Sequence, residues 1–205
     1  MTYHHGNLRK ELLDRAAYVI AEQGIEALSL RALARDLGVS HAAPSRHFAD
    51  KAELLRALAT VGTDRFISYV LAAADAAGND PLERYAAMGR AFIRFSLVFP
   101  AYYRTLTHPD VTAHADEDLK AASERHRLVI HDAARAAQAA GWLPDEKTED
   151  AVLFSIATVR GTAAIMNDPL SSKTEDDTEA QIRRIVRLII DPDTLNAKNK
   201  ATRSA

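Results

Sequence analysis

Between Ser40 and His47 the chain reads SHAAPSRH, which sets two hydroxyls, two imidazoles and a guanidinium among small residues. Ser40 and Ser45 can donate or accept, His41 and His47 can do either, and Arg46 carries a planar fork of donors. Ala42 and Ala43 let the segment approach a flat partner closely. That inventory suits hydrogen bonding to base edges and phosphates in a major groove. The plainer alternative is the polar outer face of a helical hairpin. A second constellation is HPDVTAHADED, where His108, Asp110, His114 and Asp116 repeat an HxD pattern. Such residues ligate zinc and similar cations, but they also cap and punctuate a loop before a helix, and that second reading is preferred. His4 and His5 are read as solvated terminal histidines, not as half a metal site. There is no Glu-x-x-His pair of the di-iron bundle type. No nucleophile with a base and an orienting group stands out either. The expectation is therefore no catalytic residue, no metal and no cofactor.

The elements that must hold SHAAPSRH follow from its flanks. Ser29 is a natural N-cap, and Leu30, Leu33, Ala34 and Leu37 then share one helical face. Gly38 stands where that helix stops and the chain reverses, a position that favours positive φ. Val39 plugs the corner, and Ser40 can cap a second short helix at once. Ala34 is small enough for the two helices to cross closely. Asp50 can cap the next helix, with Glu53 three residues on in a capping-box arrangement. Lys51 then lies in a first turn, beside N–H groups that suit a phosphate. Ahead of the hairpin, a helix from about Asn7 to Gln23 carries Leu8, Leu12, Ala16, Val19 and Ile20 as a bracing face.

From about Tyr3 to Leu58 these features resemble the DNA-binding domain of the tetracycline-repressor (TetR) family. The resemblance rests on EQGIEALSLRALARDLGVS, a short helix ending in RHF, and the DK that follows. It implies that Ser40, His41, Ala42 and Ala43 face base edges. Arg31, Ser45, His47 and Lys51 would face the DNA backbone, and Arg46 would serve either. One departure is Ser45, which stands where the family usually has a phosphate-binding tyrosine.

Composition bounds the rest. The 205 residues are 47% hydrophobic with alanine dominant, no cysteine and a net charge of −2. Alanine favours packed helices, and no stretch alternates long enough for a strand. The lack of cysteine excludes disulfides, thiolate catalysis and cysteine-ligated zinc. No apolar run is long enough to span a membrane, and none near the start has a signal-peptide pattern, so a cytoplasmic protein is expected. Residues 1–56 carry eight Lys/Arg and seven Asp/Glu, and the remainder eighteen and twenty-one. Binding to DNA must then rest on placed contacts and dimeric avidity, not on bulk charge.

Downstream, apolar periodicity predicts a long helix from Lys51 to about Ala77 and another opened by Asp80-Pro81 that ends before Pro100. Ala101–Thr107 forms a short piece, and a helix runs from about Asp116 to Ala140, stopped by Gly141-Trp142-Leu143-Pro144. Two last helices span 148–167 and 174–190. The first is apolar nearly all round, so it needs more cover than its own chain supplies. Pairing both with a copy of themselves would make a four-helix bundle, as the resemblance also implies. Phe66, Tyr69, Met88, Phe92, Phe95, Tyr103, His126 and Ile130 read singly as core, but together they form an aromatic-rich set with polar tips that suits a ligand cleft. Arg160, amid Ile156, Val159 and Ala163, must find an anion, from either a side chain or a ligand. The expected fold is all-α, with a three-helix helix-turn-helix head over 1–50. A larger effector-binding and dimerisation domain covers 51–195, and 196–205 is a tail. The expected function is a homodimeric repressor released from its DNA operator by a small, mostly apolar effector. The alternatives are a DNA-binding dimer without a ligand, or a metal-binding helical bundle.

Overall fold

The computed structural model describes residues 8–168 and 174–191, and within them the chain is all-α, with no strand. Its helices are α1 (Leu8–Gln23), α2 (Leu30–Asp36), α3 (Lys51–Ala76), α4 (Pro81–Val98), α5 (Pro100–Leu106), α6 (Pro109–Ala113), α7 (Glu117–Ala139), α8 (Thr148–Met166) and α9 (Glu175–Ile190). The arm with His4 and His5, the Asn7 cap and the C-terminal tail lie outside the described residues. Two compact units divide the chain. One gathers residues up to Arg65 with Phe99–Arg125, the other Phe66–Val98 with the residues from His126 on.

In the first unit Leu12, Ala16 and Ile20 of α1 are buried with Leu33 and Ala34 of α2, Phe48, and Leu54 and Leu58 of α3. Both Nε and Nη2 of Arg15 donate to Asp36, at 3.0 and 2.8 Å, and tie α1 to α2. Arg104 of α5 donates to the Ile20 and Ala21 carbonyls at 2.8 and 2.9 Å, at the C-terminal end of α1, where the Ile20 carbonyl also accepts from the Gly24 N–H at 3.1 Å. α2 stops as its sequence requires. The Val39 N–H reaches the Ala34 carbonyl at 3.0 Å in a Schellman closure, with Gly38 at φ 67°. Ser29 holds the N-cap position in extended backbone, but its hydroxyl makes no capping bond. Asp50 and Glu53 do cap α3 reciprocally. The Glu53 N–H donates to Asp50 at 2.8 Å, and Glu53 accepts from the Ala49 N–H at 2.6 Å, one residue earlier than in the usual box. The HxD stretch is not wholly loop, since Pro109 at its first helical position opens α6.

The second unit packs α4 against α8 and α9, with α7 contributing Ala134 and Ala137 to the shared core. α7 ends in another Schellman closure, Trp142 N–H to the Ala137 carbonyl at 3.0 Å, with Gly141 at φ 102°. The turn delivers the Trp142 indole into the core, where it stacks on Tyr85 at 4.8 Å and donates to the Ile189 carbonyl at 2.9 Å. α8 is buried on one side through Ala151, Val152, Ser155, Val159 and Ala163. Its other side stays open, with Leu153, Phe154 and Ile165 exposed by 65%, 49% and 62%.

Gly38 has open space where a Cβ would stand, so a Gly38→Ala substitution meets only the backbone penalty of positive φ. It should lower stability by about 1–2 kcal/mol, read as a matching drop in the urea midpoint with an unchanged slope.

Candidate DNA interface and effector cavity

The segment that carries SHAAPSRH is tighter than the α-helix expected for it. Residues 41–43 form turns, and Pro44–Arg46 is a single 3-10 turn. The reason is local. Pro44 has no N–H to return to the Ser40 carbonyl, which instead accepts from the Ala43 N–H at 2.9 Å, an i to i+3 bond. The Arg46 and His47 N–H groups continue that spacing, to Ala43 and Pro44 at 3.3 and 2.9 Å. Pro44 and Phe48 are buried and fasten the segment to the core. Ser40, His41, Ala42, Ser45 and Arg46 are thereby left exposed, with Ala43 and His47 half-buried. Arg31 is exposed on α2. Ser45 donates to the Ala42 carbonyl at 3.1 Å, and Lys51 reaches the Glu26 carbonyl at 3.4 Å, a long bond that a stronger acceptor would displace.

Among the described residues no three His, Cys, Asp or Glu side chains converge as metal ligands would. His114 Nδ1 bonds the Asp110 carbonyl at 2.9 Å. Asp116 accepts from the Leu119 N–H at 2.9 Å at the start of α7 and faces Arg56 at 3.4 Å. His114 thus acts as a local cap and Asp116 as a cap and ion-pair partner, while His108 Nδ1 is buried with no hydrogen-bond partner among the described residues.

The second unit holds a partly open cavity of about 210 Å³. Of the residues singled out in the sequence it brings together Phe66, Met88, Phe92, His126, Ile130 and Arg160. Phe95 is buried behind the wall, with its ring 5.1 Å from Phe66, and Tyr69 stacks on Phe95 at 5.8 Å. Tyr103 belongs to the other unit. Periodicity alone missed Tyr85, Gly89, Ser155, Ile156 and Val159, and the α9 residues Val186, Ile189 and Ile190, which complete the lining. Most of these are ordinary apolar helix positions, so nothing in the sequence distinguishes lining from core. Arg160 differs from expectation. It is exposed at the cavity edge, and among the described residues no carboxylate pairs with it.

The polar groups on the wall are few. Tyr85 Oη lies 2.6 Å from Ser155 Oγ, which donates to the Val152 carbonyl at 2.9 Å. With the Ser155 proton so used, Tyr85 is the donor between them. Burial raises the Tyr85 phenol above its usual range and keeps it protonated. His126 stacks edge-on against Phe66 at 5.1 Å. Burial first, and then the Arg160 charge, push its imidazole down from 6.5 to about 4, so it is neutral at physiological pH.

That shift makes stability depend on pH. The unfolded chain binds a proton at His126 below about 6.5, and the folded chain does not until about 4. Stability from this group is therefore complete above 6.5 and is lost as pH falls toward 4, by no more than about 3 kcal/mol. Chemical denaturation of the wild type and a His126→Gln variant at pH 7 and pH 5 should show a smaller loss in the variant.

Residues 12–58 match the family model for bacterial regulatory proteins of the tetR family, and residues 85–191 match that for a tetracyclin repressor-like C-terminal domain. No curated protein sequence matches the chain. Among solved structures, one of unknown function from Rhodococcus sp. RHA1 is 30% identical, with a TM-score of 0.77 over 94% of this chain and 96% of its own. The fatty acid degradation regulator FadR from Bacillus halodurans shares the fold at 13% identity, with a TM-score of 0.73 over 92% and 97% of the two chains. The TetR family regulator PfmR from Thermus thermophilus does so at 22% identity, with a TM-score of 0.65 over 87% and 96%. Helix-turn-helix segment, all-α C-terminal unit and family models agree: the chain belongs to the TetR family of DNA-binding transcriptional regulators and is not an enzyme.

Proposed function

We propose that this regulator is a cytoplasmic homodimeric repressor that leaves its operator when a small, mostly apolar molecule fills the cavity of its second unit. The observation that carries this reading is the cavity itself. Protein interiors are close-packed, and a void walled by three aromatic rings and aliphatic side chains at the expense of that packing has the composition of a ligand site. Helix α3 offers the coupling, because one continuous helix carries Lys51 in its first turn and Phe66 on the cavity wall. A change of about 1–3 kcal/mol in coupling energy is enough to alter operator affinity five- to 150-fold. Among the described residues no helix is long and apolar enough to cross a membrane.

In this reading the exposed Ser40, His41, Ala42 and Arg46 meet base edges, with Ala43 at the contact. Arg31, Ser45, His47 and Lys51 meet the backbone. The DNA-binding domain spans 1–50, and the rest serves the effector and the dimer. The open side of α8 is the face for the second copy, together with α9. Leu153, Phe154 and Ile165 flank the small residues Ala157, Gly161 and Ala164, all exposed, a pattern that lets two helices approach closely. Val186 is buried within its own protomer, so it does not belong to that face.

Binding to DNA from the gene's own upstream region across a salt series should show Lys51→Ala weakening all sequences alike. Its log–log slope should flatten by about 0.9 per protomer, and an unchanged slope removes Lys51 from the contacts. Ile165→Asp places a charge on the open face of α8 without entering the protomer core. It should yield a folded monomer by light scattering at micromolar concentration, with operator affinity sharply reduced. A dimer that persists would move the interface elsewhere. Reciprocity tests the effector. A compound that raises the melting temperature should be partly released when operator DNA is added, and an effector with no such release would not regulate.

A further inference from the structure

We propose that the cavity is built for a small organic acid, an apolar body bearing one carboxylate that is held by Arg160. This inference rests on the cavity being the effector site and names the chemistry of the molecule that fills it. A guanidinium stays charged at any physiological pH, and Arg160 brings one to a wall that has no acidic residue among the described residues. Three other arginines of this unit are answered. Arg94 is held by Glu179. Arg84 is bound by Asp75 and two carbonyls, and Arg90 lies 3.6 Å from Glu83. Among the described residues Arg160 has no such partner, so the cavity carries one uncompensated positive charge at its edge.

The other polar groups on the wall favour the same end of the cavity. Tyr85 and Ser155 spend their hydroxyl protons on each other and on the Val152 carbonyl, which leaves lone pairs and no spare donor. A carboxylate placed there would meet only acceptors. His126, neutral beside Arg160, has a ring N–H that can supply a second donor to a carboxylate oxygen. An amine would face the guanidinium as a like charge. A neutral molecule would leave that charge unanswered. An acid with its body among Phe66, Phe92 and Ile130 and its carboxylate at Arg160 satisfies both halves of the site.

The competing answer for Arg160 is an acidic side chain from a second copy, since Arg160 borders the open face of α8. Calorimetric titration of the full-length protein with decanoate, 1-decanol and decylamine separates the possibilities. Wild type should bind decanoate about tenfold or more tightly than decanol, the range expected for a hydrogen-bonded charge, and decylamine most weakly. Arg160→Gln should bring decanoate to parity with decanol and leave decanol affinity unchanged, and Arg160→Lys should keep part of the preference. Gly89→Leu, which grows a side chain into the cavity from a position with ordinary clearance, should weaken every probe. Parity in the wild type overturns the inference but leaves a neutral effector possible. A preference that survives Arg160→Gln also overturns it, and if that variant is monomeric the cross-subunit pairing is the answer. A preference untouched by Gly89→Leu means the anion sits outside the cavity and overturns it as well. If no probe binds the wild type, the effector reading falls and takes this inference with it.

Discussion

The indole N–H of Trp142, donated to the Ile189 carbonyl, is the contact on which the second unit depends. A helix ends with carbonyls that have no partner within it, and α9 ends at Ile190, directly beyond that acceptor. One side chain satisfies it, and that side chain is itself fully buried and stacked on Tyr85. The bond joins the turn after α7 to the last turn of α9, and the stack brings in α4. Because Tyr85, Ile189 and Ile190 also line the cavity, the same contact that closes the core fixes the wall of the empty space beside it.

A void next to a close-packed core is costly unless its walls are held from behind. Here they are. Phe66 is backed by Phe95 and meets Phe92 and His126 edge-on, so aromatic rings brace one wall. The Tyr85–Ser155 pair ties α4 to α8 at 2.6 Å, and Asn167 of the α8 C-terminus donates to Ser96 of α4 at 2.9 Å. Together with Arg94–Glu179 between α4 and α9, these bonds keep three helices from collapsing into the space between them. The polar groups inside the second unit thus serve shape more than affinity, except at Arg160.

The first unit solves a different problem, which is to present polar groups outward from a very small core. Pro44 and Phe48 point inward and the residues around them point out, so the reading segment is short, stiff and anchored at two points. Arg15 and Arg104 brace α1 from opposite partners, the Asp36 carboxylate and the backbone carbonyls of α1 itself. Neither arginine belongs to the reading surface. Their work is to stop α1 from shifting beneath it.

The helix boundaries were legible in the sequence because they are set by local chemistry. Gly24, Gly38, Gly78 and Gly141 all take positive φ where the chain was expected to stop a helix, and Asp50, Asp80 and Thr174 all cap as their types suggest. The resemblance carried by residues 3–58 was legible too, since it lies in one contiguous stretch. Pro44 was in plain view, and its missing N–H could have foretold the tighter turn at the reading segment. Ser29 shows the converse, a residue of the right type in the right place whose hydroxyl does not bond. What only the tertiary structure decided is which apolar residues surround empty space. Met88, Val159 and Val186 obey the same helical spacing whether a void or a neighbour lies beyond them, because periodicity records the side of a helix and not its distance from the next one. The state of Arg160 was settled in the same way. A cation among apolar residues calls for an anion on sequence grounds, and only the packing of α7 and α8 left it exposed, unpaired and beside His126.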